Sequence, residues 1–172
     1  GIFEDALQKQ GIVYTDYTTA PTPFNNVLWR INAKTADGYY IGYYSHFDGG
    51  RDIPFVFHPR NAEALAPVRG IPKVEQLLNI TKHEFTVVPS LEGYRINDLR
   101  FGQMTGWKNP ASDFTFVYII QPVGSDSVSV VQPPRQSSEV DAQLLQEFGM
   151  RIVGREFLTF SVDTVDTGVH TK

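Results

Sequence analysis

Residues 25–47 read "NNVLWRINAKTADGYYIGYYSHF". Two runs rich in β-branched and aromatic residues flank "TADG", whose Asp37-Gly38 is a strong short-range hairpin signal. The spacing predicts one strand over "NNVLWRINAK" and another over "GYYIGYYSHF". Side chains alternate across a strand, so Asn25, Val27, Trp29 and Ile31 form one set, and Asn26, Leu28, Arg30 and Asn32 the other. An odd-length loop places Trp29 and Ile31 with Tyr39, Ile41, Tyr43 and Phe47. It then gathers Asn26, Arg30, Tyr40, Tyr44, His46 and Asp48 on the opposite face. A two-residue Asp-Gly turn reverses that pairing, and the sequence leaves the register open.

The functional reading of the second set is an aromatic-walled surface. Arg30 is suited to clamping a small anionic ligand, and His46 to acid–base work. The preferred reading is plainer: cross-strand aromatic packing with one solvated face.

Outward from this hairpin, "IFEDALQKQG" reads as a helix with Phe3, Ala6, Leu7 and Gln10 near one face, stopped at Gly11. "IVYTDYTT" reads as a strand broken by Pro21 and Pro23, with a short extended piece expected at Phe55–Phe57. "NAEALAPVRG" is expected to make a turn or two of helix with Asn61 as N-cap, and "KVEQLLNI" continues at helical spacing. "HEFTVVPS" and "GYRINDLRF" read as a second hairpin, and "DFTFVYIIQ" as a strong strand. "SEVDAQLLQEFG" reads as a helix capped by Ser138 with Asp141 three residues on, Val140, Leu144, Leu145 and Phe148 being apolar. "REFLTFSV" reads as a last strand before a frayed tail.

The expected fold is therefore α+β: a mainly antiparallel, twisted sheet of about five or six strands, with two or three helices on one face. The expected division is a core domain over 1–121, a loop or linker over 122–137, and a helix, strand and tail over 138–172.

Composition narrows the function. The chain has 172 residues, 41% of them hydrophobic and 20% charged, enough for a core without staples. A net charge of −4 with no basic stripe argues against a nucleic-acid partner. The absence of cysteine excludes disulfides, thiolate metal sites and a cysteine nucleophile. The run "FVYII" at 116–120 is only strand-sized, so no membrane span is expected here.

Few motifs carry chemistry. His46 and Asp48, with Asp52 and His58 near in sequence, are weak metal-ligand candidates; the spacing matches no specific ligand motif. His83-Glu84 opens like H-E-x-x-H, but residue 87 is Val. Ser45 and His46 are adjacent and point to opposite faces, so they form no nucleophile–base pair. Phosphate-cradling glycine loops and a nucleophile elbow are absent from the sequence. In "INDLRFG", Asp98 and Arg100 are spaced to bridge each other, and a structural ion pair is the preferred reading. No catalytic residue is assigned to this chain.

Four pieces, "ALQKQGI", "PTPFNNVLWRI", "DGYYIGYYSHFD" and "NDLRFG", occur in one order over roughly residues 5–120. Together they resemble the soluble C-terminal region of bacterial membrane-bound metal-dependent hydrolase-like proteins, a group largely of unknown function. The resemblance marks Thr22, Pro23, Phe24, Asn25, Leu28, Trp29, Arg30, Gly42, Tyr43, Tyr44, Ser45, Asp98, Leu99 and Arg100 as motif positions without an assigned role. In such proteins the presumed metal-binding histidines and acids lie among membrane helices. The resemblance thus implies a soluble accessory domain whose partner is the membrane-spanning part of its own parent chain. The implied parent sits in a bacterial inner membrane, and any divalent metal belongs there, with no cofactor in this fragment. It also accounts for Gly1 as the start of an excised domain.

Overall fold

The computed structural model describes residues 1–22, 25–50, 52–134 and 142–154. The hairpin forms as expected. Strands β2 (Leu28–Lys34) and β3 (Gly38–Ser45) pair antiparallel, with Lys34 opposite Tyr39. Thr35 closes the turn. Its N–H donates to the Gly38 carbonyl at 2.8 Å, and its hydroxyl accepts from the Gly38 N–H at 3.1 Å. This turn pairs odd positions with even ones: Trp29 faces Tyr44, Arg30 faces Tyr43 and Ile31 faces Gly42.

Strands β1 (Asp16–Pro21) and β4 (Phe55–Pro59) complete a first sheet in the order β1-β2-β3-β4. Pro21 is tolerated because β1 is an edge strand. A second antiparallel sheet runs β5 (Phe85–Ser90), β6 (Gly93–Gln103), β7 (Phe114–Val123) and β8 (Ser127–Val131), again in chain order. The fold is α+β, but the single sheet of five or six strands is corrected to two sheets of four. The ladder breaks where a 3-10 helix (Ala62–Val68) and helix α2 (Pro72–Ile80) occupy the chain between β4 and β5. Across that break, the Val87 N–H donates to the Arg60 carbonyl at 2.9 Å and the Asn61 amide to the Val87 carbonyl at 3.2 Å. Asn61 therefore serves this junction and makes no side-chain cap.

The two sheets face each other. Leu28, Tyr39, Ile41 and Tyr43 pack against Leu99, Trp107, Phe114 and Val117. The outer face of the first sheet is covered by helix α1 (Ile2–Lys9), where Phe3 and Ala6 meet Ile31, Tyr44 and Ile53. The outer face of the second is covered by the 3-10 helix and α2, through Leu65, Val68, Val74, Leu77 and Leu78. These three helices thus lie on the outer faces of both sheets, not on one face of a single sheet. Burial on both faces explains why β2 and β3 are almost continuously buried in place of alternating wet and dry.

Residues 122–137 are not simply a linker: Pro122 and Val123 pair with Val128 and Ser127 in the β7–β8 hairpin. Helix α3 (Ala142–Ile152) packs Leu144, Phe148 and Ile152 on the inter-sheet core. The proposed cap at Ser138 with Asp141, the apolar Val140, the strand over 155–162 and the tail after it lie outside the described residues, as do Pro23 and Phe24.

Candidate functional site

The even–odd register separates the residues grouped as a possible ligand surface. Arg30 and Tyr43 lie on the inter-sheet face, whereas Trp29, Tyr44 and His46 lie with α1 or solvent. Tyr44 is buried against Phe3, with ring centroids 6.0 Å apart. Trp29 is only half-buried; its indole N–H donates to the Asn26 carbonyl at 2.9 Å. His46 is exposed and packs edge-on to both Trp29 and Tyr44.

Arg30 is buried and reaches across to the second sheet. Its Nη2 donates to the Arg100 carbonyl at 2.7 Å, while the Asn32 amide donates to the Leu99 carbonyl at 3.1 Å. These carbonyls need partners for a local reason. The β6–β7 register shifts between Asp98 and Gln103, so the ladder lapses there. Gly102 permits the approach: its φ is +70°, and a Cβ there would lie 1.9 Å from Arg30 Nη1. Burial lowers the Arg30 pKa, opposed by Tyr43, Glu84 and Asp98. Burial also pushes the Tyr43 hydroxyl up to about 12. Arg30 is thus an inter-sheet tie rather than an anion clamp.

The other motif residues are similarly engaged. Asn25 Oδ1 accepts from the N–H groups of Val27 and Leu28 at 2.9 and 2.7 Å, and its Nδ2 donates to Thr22 Oγ1 at 2.8 Å. That is an Asx-type turn holding the entry to β2. Asp98 is fully buried and takes Arg100 through two bonds of 3.0 and 2.7 Å, the expected ion pair; this bond to Asp98 raises the Arg100 pKa. The Ser45 hydroxyl donates to the Ile152 carbonyl. Asp48 accepts from the Ser45 N–H at 2.8 Å and holds the buried Arg151 guanidinium at 2.7 and 3.0 Å. Arg151 was no candidate in the sequence; a cation near the apolar face of the last helix was the available signal.

The weak metal candidates are not brought together. His58 sits opposite Tyr39, seven residues before His46 along β3, which is roughly 20 Å at strand rise. Asp48 is occupied by Arg151. Among the described residues, no group of three histidines and acids is placed to hold a metal ion.

His58 instead borders a cleft of about 240 Å³ between the sheets. Opposite it are Arg95 and Asn97 of β6 and the segment Pro110–Phe114. Gln103 shapes that segment by donating both amide hydrogens, to the carbonyls of Pro110 at 2.7 Å and Ser112 at 2.8 Å. Arg95 pairs with Asp113 at 2.9 Å. His58 packs edge-on to Phe114 at 5.6 Å, and burial lowers its pKa. Among the described residues, His58 Nε2 and Ser112 Oγ are buried and have no hydrogen-bond partner. Ser112 and Gln103 escaped sequence reasoning because nothing in their local pattern announces that a turn will face a distant strand.

The fold and these contacts define an α+β protein of two facing antiparallel sheets, each backed by helix. No protein-family model, curated protein or solved structure matches the chain.

Proposed function

We propose that this chain is the soluble accessory domain of a membrane-bound metal-dependent hydrolase and is not catalytic alone. One observation carries this reading: the polar side chains of the motif segments point into the fold. Asn25, Arg30 and Ser45 bind backbone groups, and Asp98 binds Arg100. Motif positions spent on architecture support a scaffold role, in which the domain carries or positions something for the spanning part. Among the described residues, no helix is long and apolar enough to cross a membrane; in this reading the spans belong to the parent chain. The partner is that spanning part, and a divalent metal there supplies the hydrolytic chemistry.

The test compares this chain with the full product of its gene, held in membranes. Metal content and hydrolysis of simple ester, phosphoester and amide substrates are measured on both. The expected result is metal and activity in the full product and neither in the chain alone. Stoichiometric metal or turnover in the isolated chain overturns the proposal, as does a gene that encodes no spanning helices.

A further inference from the structure

We infer that the outer edge of strand β8 is a homodimer interface, at which a second copy of this chain pairs antiparallel about Ser129 and joins two second sheets into one continuous sheet.

A sheet edge offers unpaired backbone groups, and proteins that stay apart defend it with proline, charge or a cover. The edges of this fold are treated unequally. Strands β4 and β5 meet at the junction made by Arg60, Asn61 and Val87. Beside β1, the Thr22 N–H donates to the Leu28 carbonyl at 2.8 Å, so the even positions of that strand bond inward to β2. Tyr17, Thr19 and Pro21 then face outward. The Tyr17 N–H is taken by Asp16 Oδ1 at 2.8 Å, and Pro21 has no N–H to offer. Thr19 is left as the outward donor of β1.

Strand β8 carries no such defence. Its residues, Ser127 to Val131, include no charge and no proline. Pro122 fixes which of its groups point outward. It lies opposite Val128 and lacks an N–H, so that pair is not a hydrogen-bonded one. The flanking pairs, Gln121 with Ser129 and Val123 with Ser127, must carry the bonds to β7. Val128 and Val130 therefore turn N–H and C=O away from the sheet. The same logic holds on β5, where Pro89 lies opposite Tyr94 and the outward Val87 N–H is the one that reaches Arg60. Among the described residues, neither Val128 nor Val130 has a backbone partner on the outer side.

The occupant follows from symmetry and charge. A second β8, turned about a two-fold axis through Ser129, sets Val128 opposite Val130 of the second copy, and Val130 opposite its Val128. All the outward groups of both valines are then used. The strand has no charge to repel its own copy, and Asp126 beyond its end falls opposite a neutral Gln132. On the side covered by α2, valine meets valine, a favourable cross-strand pair that continues the apolar layer under that helix. On the other side the exposed Val131 meets Ser127. Such a contact is isologous and closes at two copies, and the defended β1 edge adds no further strand.

The experiment follows the mass of the full chain by light scattering from micromolar to millimolar concentration, with variants of β8. The expected result is a reversible dimer. Val130→Pro removes an outward N–H without touching the bonds to β7, and should raise the dissociation constant about tenfold or more. Ser129→Cys tests the register, in a chain with no cysteine of its own. In the proposed register the two Ser129 residues form a non-hydrogen-bonded pair. Their Cα atoms then lie about 4.5 Å apart, within disulfide range, so mild oxidation should trap a covalent dimer. Ser125→Cys, in the exposed hairpin turn, places the two thiols about 27 Å apart at strand rise and should not cross-link. If Val130→Pro fails to fold, the cross-link alone decides. A wild-type chain that stays monomeric at millimolar concentration overturns the inference. That includes a monomer whose Val128 and Val130 amides resist hydrogen exchange because the chain's own residues cover the edge. A dimer that keeps its affinity in Val130→Pro, or cross-links as readily through Ser125→Cys, overturns it too.

Discussion

Replacing Asp48 with alanine leaves the Arg151 guanidinium buried without its carboxylate, since both side chains are under a tenth exposed. Breaking one half of a buried pair costs about 3–5 kcal/mol, mostly from the stranded charge. Asp48→Ala should therefore lower stability in urea by about that amount, whereas Asp48→Ala combined with Arg151→Met should recover much of it. A double variant as unstable as the single one would mean that the charge is not the cause. The single residues of this protein were unevenly legible. The bridge between Asp98 and Arg100 followed from their spacing on one strand. The role of Arg30 did not, because its partner is a carbonyl seventy residues away that lacks a strand neighbour only where β6 is irregular.

Turns and strands were easier to read than what they face. The β2–β3 hairpin, the helix at the N-terminus and strands β5 to β7 follow from alternation, propensity and glycine placement. The short strand β8 was missed: "SVSVV" alternates, but it sits among serines and prolines that read as a loop. The four-residue span from Thr35 to Gly38 then decided which side chains share a face, something composition cannot supply. Gly102 and Gly124 isolate what a close approach is worth at the element scale. Their φ values, +70° and +69°, impose the same strain on alanine, but only at Gly102 would the new Cβ strike a neighbour, Arg30. Gly102→Ala should cost roughly 1–3 kcal/mol more than Gly124→Ala in denaturant unfolding. Equal costs would show that Arg30 moves aside freely.

At the scale of the whole molecule, the class α+β was readable and the division into two sheets was not. Strand spacing says how many strands there are, but not where the ladder stops. Here it stops because the chain between β4 and β5 is used to cover an outer face. The cleft beside His58 depends on that division, since its walls come from both sheets. For the same reason no local motif could have marked it.

Every ladder in both sheets joins strands that are neighbours in the chain, within 16–59 and within 85–131. Closing such short loops costs little entropy, so each meander can zip up before the two halves meet. Among the described residues, the bonds from Arg30 and Asn32 to β6 are the longest-range hydrogen bonds between the two sheets, and are expected to form after the meanders. Asn32→Ala should then leave the refolding rate near wild type and speed unfolding. Stopped-flow chevrons showing a slowed refolding arm would place the meeting of the halves at the barrier itself.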